Sequence, residues 1–572
     1  MHKFWLNSLL FRPAILAAMM VVAIPAIASA ESAPTNSDSI GQLTSVSQLS
    51  DVKPSDWAFQ SLQSLVERYG CIAGYPDKTF RGNRALTRYE FAAGLNACLD
   101  QINQLIAVGT TDLAKKEDLE TIKRLQEEYA EELLTLRGQV DALEARTSAL
   151  ESQQFSTTTK LRGEVIFGLA SPFGDTQALN SDAYRANPNA IRAKLNDNFI
   201  LADRVRLNFD TSFTGQDRLR VRLQARNITQ FDGGNAVTGT NQTRLGFDGN
   251  DANNNNSVRA SVISYRFPVS DATTVHVGAY GLEFVDEVPT LSRNFDSSGS
   301  GAVSRFGRYN PIYRSTDSGT GVLVNHKFND ALTLSAGYLV PDNTANNPAA
   351  GSGLFNGNYS LLGQLTYQAT PQLSLAAAYS NAYYRDGNGI TGSTGTGFAN
   401  NPFNGAPTSA NSYSLAANYR LNPSVQISAW GGFTKANAER TVPAINGTGA
   451  LAGVLQNGAT AGNKAEIWNW AVQLGLPDFG GEGNFAGIVF GVPPRVASND
   501  YSATFAGTPF TGATVPARRR DTDTSYHLEA FYKYKFSDNI TITPGLITIF
   551  NPEGNSNNPA TYVGVVRTTF SF

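Results

Sequence analysis

Hydrophobic and polar positions change their period twice along this chain. From about residue 46 to 106 the apolar residues recur at helical spacing, with Ala58, Leu62, Leu65 and Val66 on one face and Phe91, Leu95 and Leu99 on another. Asp56 stands where it would cap a helix beginning near Trp57, Gly70 ends it, and Gly74-Tyr75-Pro76-Asp77 is turn chemistry. Thr87 predicts the cap of a second helix, with Glu90 three residues on completing a capping box. Over 119–150 the pattern becomes a heptad. Leu119, Gln126, Leu133, Val140 and Thr147 hold one seam position, and Ile122, Tyr129, Leu136, Leu143 and Leu150 hold the other. Sustained 3–4 spacing predicts a coiled-coil stalk over 112–151, against the plainer reading of a helix packed on its own domain. Gln126 and Thr147 in the seam would fix register and partner number at some cost in stability.

From Thr157 to Phe572 the period falls to two. Arg218, Arg220, Arg222, Gln224 and Arg226 alternate with Leu219, Val221, Leu223 and Ala225, and the preceding strand alternates in the same way. Sixteen strands are predicted: 158–169, 204–213, 217–227, 257–267, 272–281, 318–328, 332–339, 359–368, 372–382, 411–421, 425–435, 464–474, 484–491, 525–536, 539–549 and 561–572. Their connections alternate between tight turns, such as Thr214-Gly215-Gln216 and Asn422-Pro423-Ser424, and long polar segments such as 171–203, 228–256, 282–317 and 492–524. An even number of strands near ten residues, with short turns at one end and long loops at the other, is the pattern of an outer-membrane barrel. Closure leaves no strand edge unpaired, which a bilayer demands. The fold class is thus an all-β transmembrane barrel of about 16 antiparallel strands over 155–572, preceded by a small α-helical module and a coiled-coil helix.

Composition agrees. Charged residues make up 16% of the 572, well under the roughly 25% usual in soluble domains. With 45 basic against 48 acidic side chains there is no basic field, so nucleic acid is not an expected partner. Lys3 and Arg12 flank an apolar run that ends at Ala28-Ser29-Ala30, which predicts a cleaved signal peptide over 1–30. In the oxidising compartment beyond, Cys71 and Cys98 would persist as one disulfide or remain two buried thiols.

Little points to chemistry. His276, His326 and His527 stand alone on their strands, with no neighbour at ligand spacing. Asp248-Gly249-Asn250-Asp251 opens like a calcium loop, but its twelfth position is Arg259 where a Glu is required. Thr391–Gly397 is a low-complexity loop, and no nucleophile elbow, zinc-protease motif or phosphate loop occurs. The sequence supports no enzyme, metal site or cofactor.

Two stretches carry family resemblances. Leu49-Ser50-Asp51-Val52, Trp57-Ala58, Gly74-Tyr75-Pro76-Asp77, Thr79-Phe80-Arg81 and Thr87-Arg88-Tyr89-Glu90-Phe91 resemble an S-layer-homology (SLH) domain over 46–106. The resemblance implies binding of peptidoglycan-linked polysaccharide through Trp57, Thr87, Arg88 and Glu90; Tyr89 replaces the usual Ala of that box. Only one copy is visible where the family often has three, so tight binding would need several chains acting together. Thr158–Glu164, Gly307-Arg308-Tyr309-Asn310-Pro311 and Asn551-Pro552-Glu553-Gly554-Asn555 resemble an OprB-type carbohydrate-selective porin, and the order of parts resembles cyanobacterial outer-membrane porins, some labelled iron-uptake porins. Terminal alternation ending at Phe572 resembles the barrel-assembly signal of such proteins.

The expected function follows from the barrel interior. Arg218, Arg220, Arg222 and Arg226 must face water if Leu219, Val221 and Leu223 face lipid, because charge on the lipid face costs ~2–4 kcal/mol at mid-bilayer. The segment 282–317 carries Glu283, Asp286 and Glu287; by the porin resemblance it folds inward and sets these acids against the arginines. The expected partners are outer-membrane lipid and lipopolysaccharide, the wall polysaccharide and small hydrophilic solutes, in a homotrimer. Arg518-Arg519-Arg520 is either a site for lipopolysaccharide phosphates or a solvated charge run. Two other readings keep the fold: a structural tether with a plugged barrel, and a specific transporter for iron or sugar.

Overall fold

Alternating strands close on themselves. In the computed structural model, which describes residues 45–72, 75, 77–108, 119–130, 137–141, 158–186, 192–232, 237–249, 256–443, 445–446, 455–456, 458–507 and 510–572, sixteen antiparallel strands form a closed barrel. They are β1 (Thr159–Phe173), β2 (Ile200–Thr211), β3 (Arg218–Arg226), β4 (Arg259–Ser270), β5 (Thr273–Leu282), β6 (Gly319–Lys327), β7 (Leu332–Pro341), β8 (Tyr359–Gln368), β9 (Leu373–Tyr384), β10 (Thr408–Asn422) and β11 (Val425–Ala438). The barrel continues with β14 (Lys464–Pro477), β15 (Phe485–Asn499), β18 (Tyr526–Lys535), β19 (Ile540–Phe550) and β20 (Thr561–Ser571), which pairs back with β1. Every predicted strand is present. The sequence reading missed a small four-stranded sheet within the long loops, β12 (Ile445–Asn446), β13 (Leu455–Gln456), β16 (Ser502–Gly507) and β17 (Phe510–Arg518). It also ended β15 eight residues early, because the Gly-Val-Pro-Pro run after Phe490 reads as a turn. Two register shifts in the β14–β15 pairing mark the irregular stretch opposite it.

Period two sorts the side chains. On β10, Tyr413, Leu415 and Tyr419 point outward and are exposed, while Ser414 and Ala416 between them are buried against the interior. Outward tyrosines and other aromatic rings line up from strand to strand near the long-loop end, with Tyr379 against Tyr413, Tyr413 against Phe433 and Phe433 against Trp468 at 4.3 Å. Tyr367, Tyr419, Tyr534 and Phe536 are exposed near the short turns. Two aromatic belts bounding an apolar band are what a barrel needs where bilayer meets water.

The chain divides into two units, Met1–Glu144 and Ala145–Phe572. In the first, Val46, Leu49, Leu62 and Val66 form a four-residue core. That is a small core to stand alone. Cys71 and Cys98 are joined as a disulfide, with Cα atoms 4.3 Å apart, which closes a 27-residue separation and limits the freedom of the unfolded chain. Helix α1 (Phe59–Gln63) starts two residues later than the sequence pattern indicated. Asp56 instead accepts the Lys53 backbone N–H at 2.7 Å and closes the preceding turn. Gly70 ends this segment with φ +60°, as its place in the sequence predicts. Helix α2 (Arg88–Val108) carries the predicted capping box: Thr87 Oγ1 accepts the Glu90 N–H at 3.2 Å, and Glu90 Oε2 accepts the Thr87 N–H at 2.8 Å. Residues 119–130 and 137–141 are helical, with Leu119, Ile122, Tyr129 and Val140 exposed. The predicted signal peptide 1–30 and the seam positions Leu133, Leu136, Leu143, Thr147 and Leu150 lie outside the described residues.

Candidate functional site

The segment between β5 and β6 enters the barrel and crosses it. Near its start and end, Phe284, Val288, Tyr309, Ile312 and Tyr313 are buried against Leu323, Leu339 and Leu362 of β6, β7 and β8. Its middle, Phe295, Ala302, Val303 and Phe306, packs on the opposite wall against Trp430, Phe485, Phe531, Ile547 and Val563. Wall side chains then fix its backbone. Arg567 donates to the Gly301 carbonyl at 2.7 Å, Gln473 to the Gly307 carbonyl at 2.7 Å, and Gln364 to the Pro289 carbonyl at 2.7 Å. At its turning point, Leu291 and Asn294 take left-handed backbone conformations, and Gln426 donates to the Arg293 carbonyl at 2.8 Å. Ile228, Phe231, Leu245 and Phe247 of the β3–β4 loop join the same apolar cluster. One side of the lumen, from β11 round to β1, is therefore occupied by packed apolar side chains.

The polar side is the wall of β2, β3 and β4, where the predicted arginines lie. All four sit on the interior face, and the structure divides their roles. Asp210 and Arg220 are directly opposite in the β2–β3 register and form a two-pronged ion pair at 2.7 Å. Arg226 donates to the Asp248 carbonyl at 3.0 Å and so holds the following loop. Arg222 bonds Ser261 at 2.9 Å through Nε and lies within the fields of Glu283 and Asp286. Arg218 is acted on by Asp286 as well. Asp286 acts on Arg218, Arg220 and Arg222, and Glu283 on Arg222 and Arg226, while Arg220 is in addition paired with Asp210 of its own sheet. Glu287 turns away from that stripe; it takes Arg266 of β4 at 2.5 Å and faces His276 at 3.2 Å. Burial and the adjacent Glu283 charge push the Asp286 carboxyl above its ordinary range, while His276 and Arg222 pull it back. Period two already puts Arg206 on the polar face of β2 with Asn208 and Asp210. Sequence reasoning did not name Arg204 beside it; Arg206 and Arg204 meet Ser298 of the crossing segment at 3.2 and 3.0 Å. Arg204 also pairs with Glu164 at 2.7 Å. The same period-two rule carried one step back along β2 finds Arg204.

Five long loops meet over the barrel at two buried carboxylates. Glu553 accepts from Thr240 Oγ1 and from the Gly397 N–H, both at 2.8 Å. Asp521 accepts from Thr396 Oγ1 at 2.9 Å and from the Val496 N–H at 2.6 Å. Ser181 and Thr522 bring in the β1–β2 loop at 3.0 Å. Burial raises Asp521 to about 8 and Glu553 to about 7, and the Glu553 charge further opposes ionisation of Asp521. The low-complexity run Thr391–Gly397 therefore contributes a clasp. Asp248 pairs with Arg244 at 2.7 Å. Arg518 and Arg520 are exposed, but Arg519 stacks on Phe398 at 4.7 Å, so the three arginines are not one solvated run.

In the N-terminal unit Trp57 is 76% exposed and Tyr89 is 89% exposed, so neither serves as a core aromatic. Arg88 is exposed, while Thr87 and Glu90 are engaged in the cap, with Tyr75 donating to Glu90 at 3.2 Å. Arg81 and Asp77 pair at 2.5 Å, and the Thr79 hydroxyl together with Arg81 holds the Asp77 carboxyl down to about 2. Asp51 accepts the N–H groups of Phe80 and Arg81, at 2.6 and 2.5 Å, which ties the predicted Leu-Ser-Asp-Val and Thr-Phe-Arg pieces together.

Comparison with known proteins now bears on both units. The model for the carbohydrate-selective porin, OprB family, matches residues 116–572, and the S-layer homology domain model matches 48–92. The chain belongs to the OprB porin family. Its porin domain is preceded by an SLH domain, and the fold points to a channel rather than an enzyme. It is 41% identical over 543 residues to "Uncharacterized protein sll0772" of Synechocystis sp., covering 93% of this chain and 92% of that one. A stretch of it is similar to Outer membrane protein SlpA of Thermus thermophilus, 39% identical over 110 residues, or 18% of this chain and 12% of the other. Pseudomonas putida OprB is similar at 12% identity with a TM-score of 0.44, over 76% of this chain and 97% of that one.

In this porin the last residue closes the ring. Phe572 and Gly163 exchange backbone hydrogen bonds, the Phe572 N–H donating at 3.1 Å and its carbonyl accepting at 2.6 Å. The ring of Phe572 fills the space a Cβ at Gly163 would need, since a built Cβ there meets the ring at 2.3 Å.

Proposed function

We propose that this porin passes small hydrophilic solutes, inorganic ions foremost, along the β2–β4 side of its lumen, as a homotrimer in the outer membrane. Its SLH domain lies in the periplasm and binds peptidoglycan-linked polysaccharide. The observation that carries the proposal is the asymmetric filling of the lumen. Packed apolar side chains occupy the β11–β1 side, and the β2–β4 side carries Arg206, Arg218 and Arg222 within the fields of Glu283 and Asp286. Opposed charges on two sides of a narrow passage orient water and polar solutes and disfavour apolar ones. Trp57 and Arg88, exposed on the SLH domain, are the contacts we assign to the polysaccharide.

A second reading has one specific observation in its favour. The inward segment is bonded to wall strands around the whole barrel, from Arg204 of β2 through Gln364 of β8 to Arg567 of β20. A loop held so firmly suits a tether whose barrel conducts poorly. Single-channel recording of residues 31–572 in a planar bilayer separates the two. Stable open steps under a KCl gradient support the pore, block by added sugar or iron names a specific solute, and silence from a folded barrel favours the tether.

A further inference from the structure

The crossing segment reaches its deepest point among the short turns, and there it completes a cleft. Leu291 and Arg293 face Gln368, Pro371, Gln372 and Ser374 of the β8–β9 hairpin and Asn418 and Arg420 of β10 around a half-enclosed volume of about 150 Å³. Arg420 and Asn418 are on the interior side of β10, so the cleft opens at the short-turn mouth of the lumen. Its backbone is firmly set. Gln426 holds Arg293 and Asn294 at 2.8 and 3.2 Å, and the Arg420 N–H donates to the Gln372 carbonyl at 2.9 Å.

Its charge is not balanced. No carboxylate lines the cleft. Among the described residues neither the Arg293 nor the Arg420 guanidinium makes a hydrogen bond or an ion pair, unlike Arg204, Arg220 and Arg266 on the same interior wall. Ser374 donates to Gln368 at 2.7 Å and Asn418 to Ser428 at 2.7 Å, so these polar neighbours are already committed, while the Gln372 side-chain amide has no protein partner among the described residues. Two guanidiniums and a free amide facing one polar cleft are donors without an acceptor. We propose that this cleft binds a small inorganic oxyanion, such as phosphate, at the short-turn mouth of the pore. Planar guanidinium forks match the paired oxygens of such an anion, and the partial enclosure strengthens the attraction over that of arginines standing free in water. Held there, the anion sits where solutes leave or enter the lumen, next to the loop that narrows it.

The test is isothermal titration of the folded full-length porin in detergent with inorganic phosphate, at low ionic strength where the attraction is least screened. The expected result is saturable binding that sulfate displaces, weakened about tenfold or more in R293Q/R420Q and partly kept in R420K. Circular dichroism of the strands and heat-modifiable migration establish that each variant is folded; both side chains end in solvent and hold no other residue. Unchanged affinity in the double variant, or no saturable heat with the unaltered protein, overturns the proposal. The titration reads binding whether or not the barrel conducts, so failure of this site and failure of the pore reading are distinguishable.

Discussion

Glu529 of β18 accepts the backbone N–H of Val303 at 2.6 Å, joining the barrel wall to a residue 226 positions upstream. The same carboxylate takes the Ser304 hydroxyl, and His527 lies 3.3 Å from that hydroxyl with its ring edge-on to Phe306. All of these groups are buried, where a missing acceptor costs more than a hydrogen bond contributes at the surface. Replacing Glu529 with Ala should free the middle of the crossing segment without opening the barrel. Hydrogen bonds to a charged acceptor are worth roughly 1.5–3 kcal/mol, so amide exchange at Val303 and Ser304 should quicken about tenfold or more. Exchange rates equal to those of the unaltered protein would show that the apolar packing of Phe295 and Phe306 holds the segment alone.

Ion selectivity should respond to the arginines of β3. Asp286 acts on Arg218, Arg220 and Arg222, and Arg220 is in addition paired with Asp210 beside it. Changing Arg218 and Arg222 to Ser should move the reversal potential in a KCl gradient toward cation preference. Changing Arg220 to Ser should do so too, because it uncovers the Asp210 carboxylate. A reversal potential indifferent to the Arg218 and Arg222 changes would remove the wall from the conduction path.

Why the strands were legible and the loop contacts were not has a physical reason. A strand writes its environment into the sequence at every second residue, so Leu219, Val221 and Leu223 reveal lipid on one side and Arg218, Arg220 and Arg222 water on the other. The inward segment has no period. Phe295, Phe306 and Trp430 are buried together, yet they come from a loop and a strand 124 or more positions apart, and nothing local links them. Local chemistry did fix the Thr87–Glu90 cap, because both partners lie within one turn. It misplaced Asp56 because an Asp that closes a turn and one that caps a helix look alike without the backbone. Arg220 looked like part of a uniform stripe until the register set Asp210 opposite it.

The loop clasp should respond to pH. Burial lifts Asp521 to about 8 and Glu553 to about 7, above the ordinary values near 3.9 and 4.3 of an unfolded chain. Folded-state affinity for the proton is thus the greater, and the stabilisation it gives is fully present below about pH 4 and is lost as pH rises through 7 to 8. Arg495 and Arg519 stand near and temper the loss. Amide protection relative to the intrinsic, base-catalysed exchange rate in loop residues 394–399 and 552–555 should therefore fall between pH 6 and pH 9, and D521N should flatten that dependence. An identical pH profile in D521N would exclude this carboxyl as the titrating group.

On the SLH domain, stability and binding should separate. Thr87→Ala removes half of the capping box and should cost about 1 kcal/mol of helix stability, read as a lowered midpoint of thermal unfolding. Trp57→Ala removes an indole that is 76% exposed, so it should leave that midpoint within about 0.5 kcal/mol while weakening retention on purified cell-wall polysaccharide. Equal retention by the Trp57 variant would move the contact elsewhere on the module.

Closure of the ring supplies the last prediction. β20 pairs with β1 from Glu164–Ser571 to Phe173–Tyr562, and the final residue adds two backbone hydrogen bonds and a ring laid over Gly163. Deleting Phe572 removes that ring and bares the Gly163 N–H and carbonyl at the seam where the first strand meets the last. Gly163→Ala keeps the terminus but sets a methyl carbon against the ring, so the two cannot both hold their places. Both changes should lower the yield of folded barrel in the outer membrane, the deletion more than the substitution, since the substitution keeps the terminal residue and only displaces its ring. If deletion impaired yield while G163A left it intact, Phe572 would act as a signal rather than as packing. If neither changed it, the remaining pairs of β1 with β20 would suffice to close the barrel.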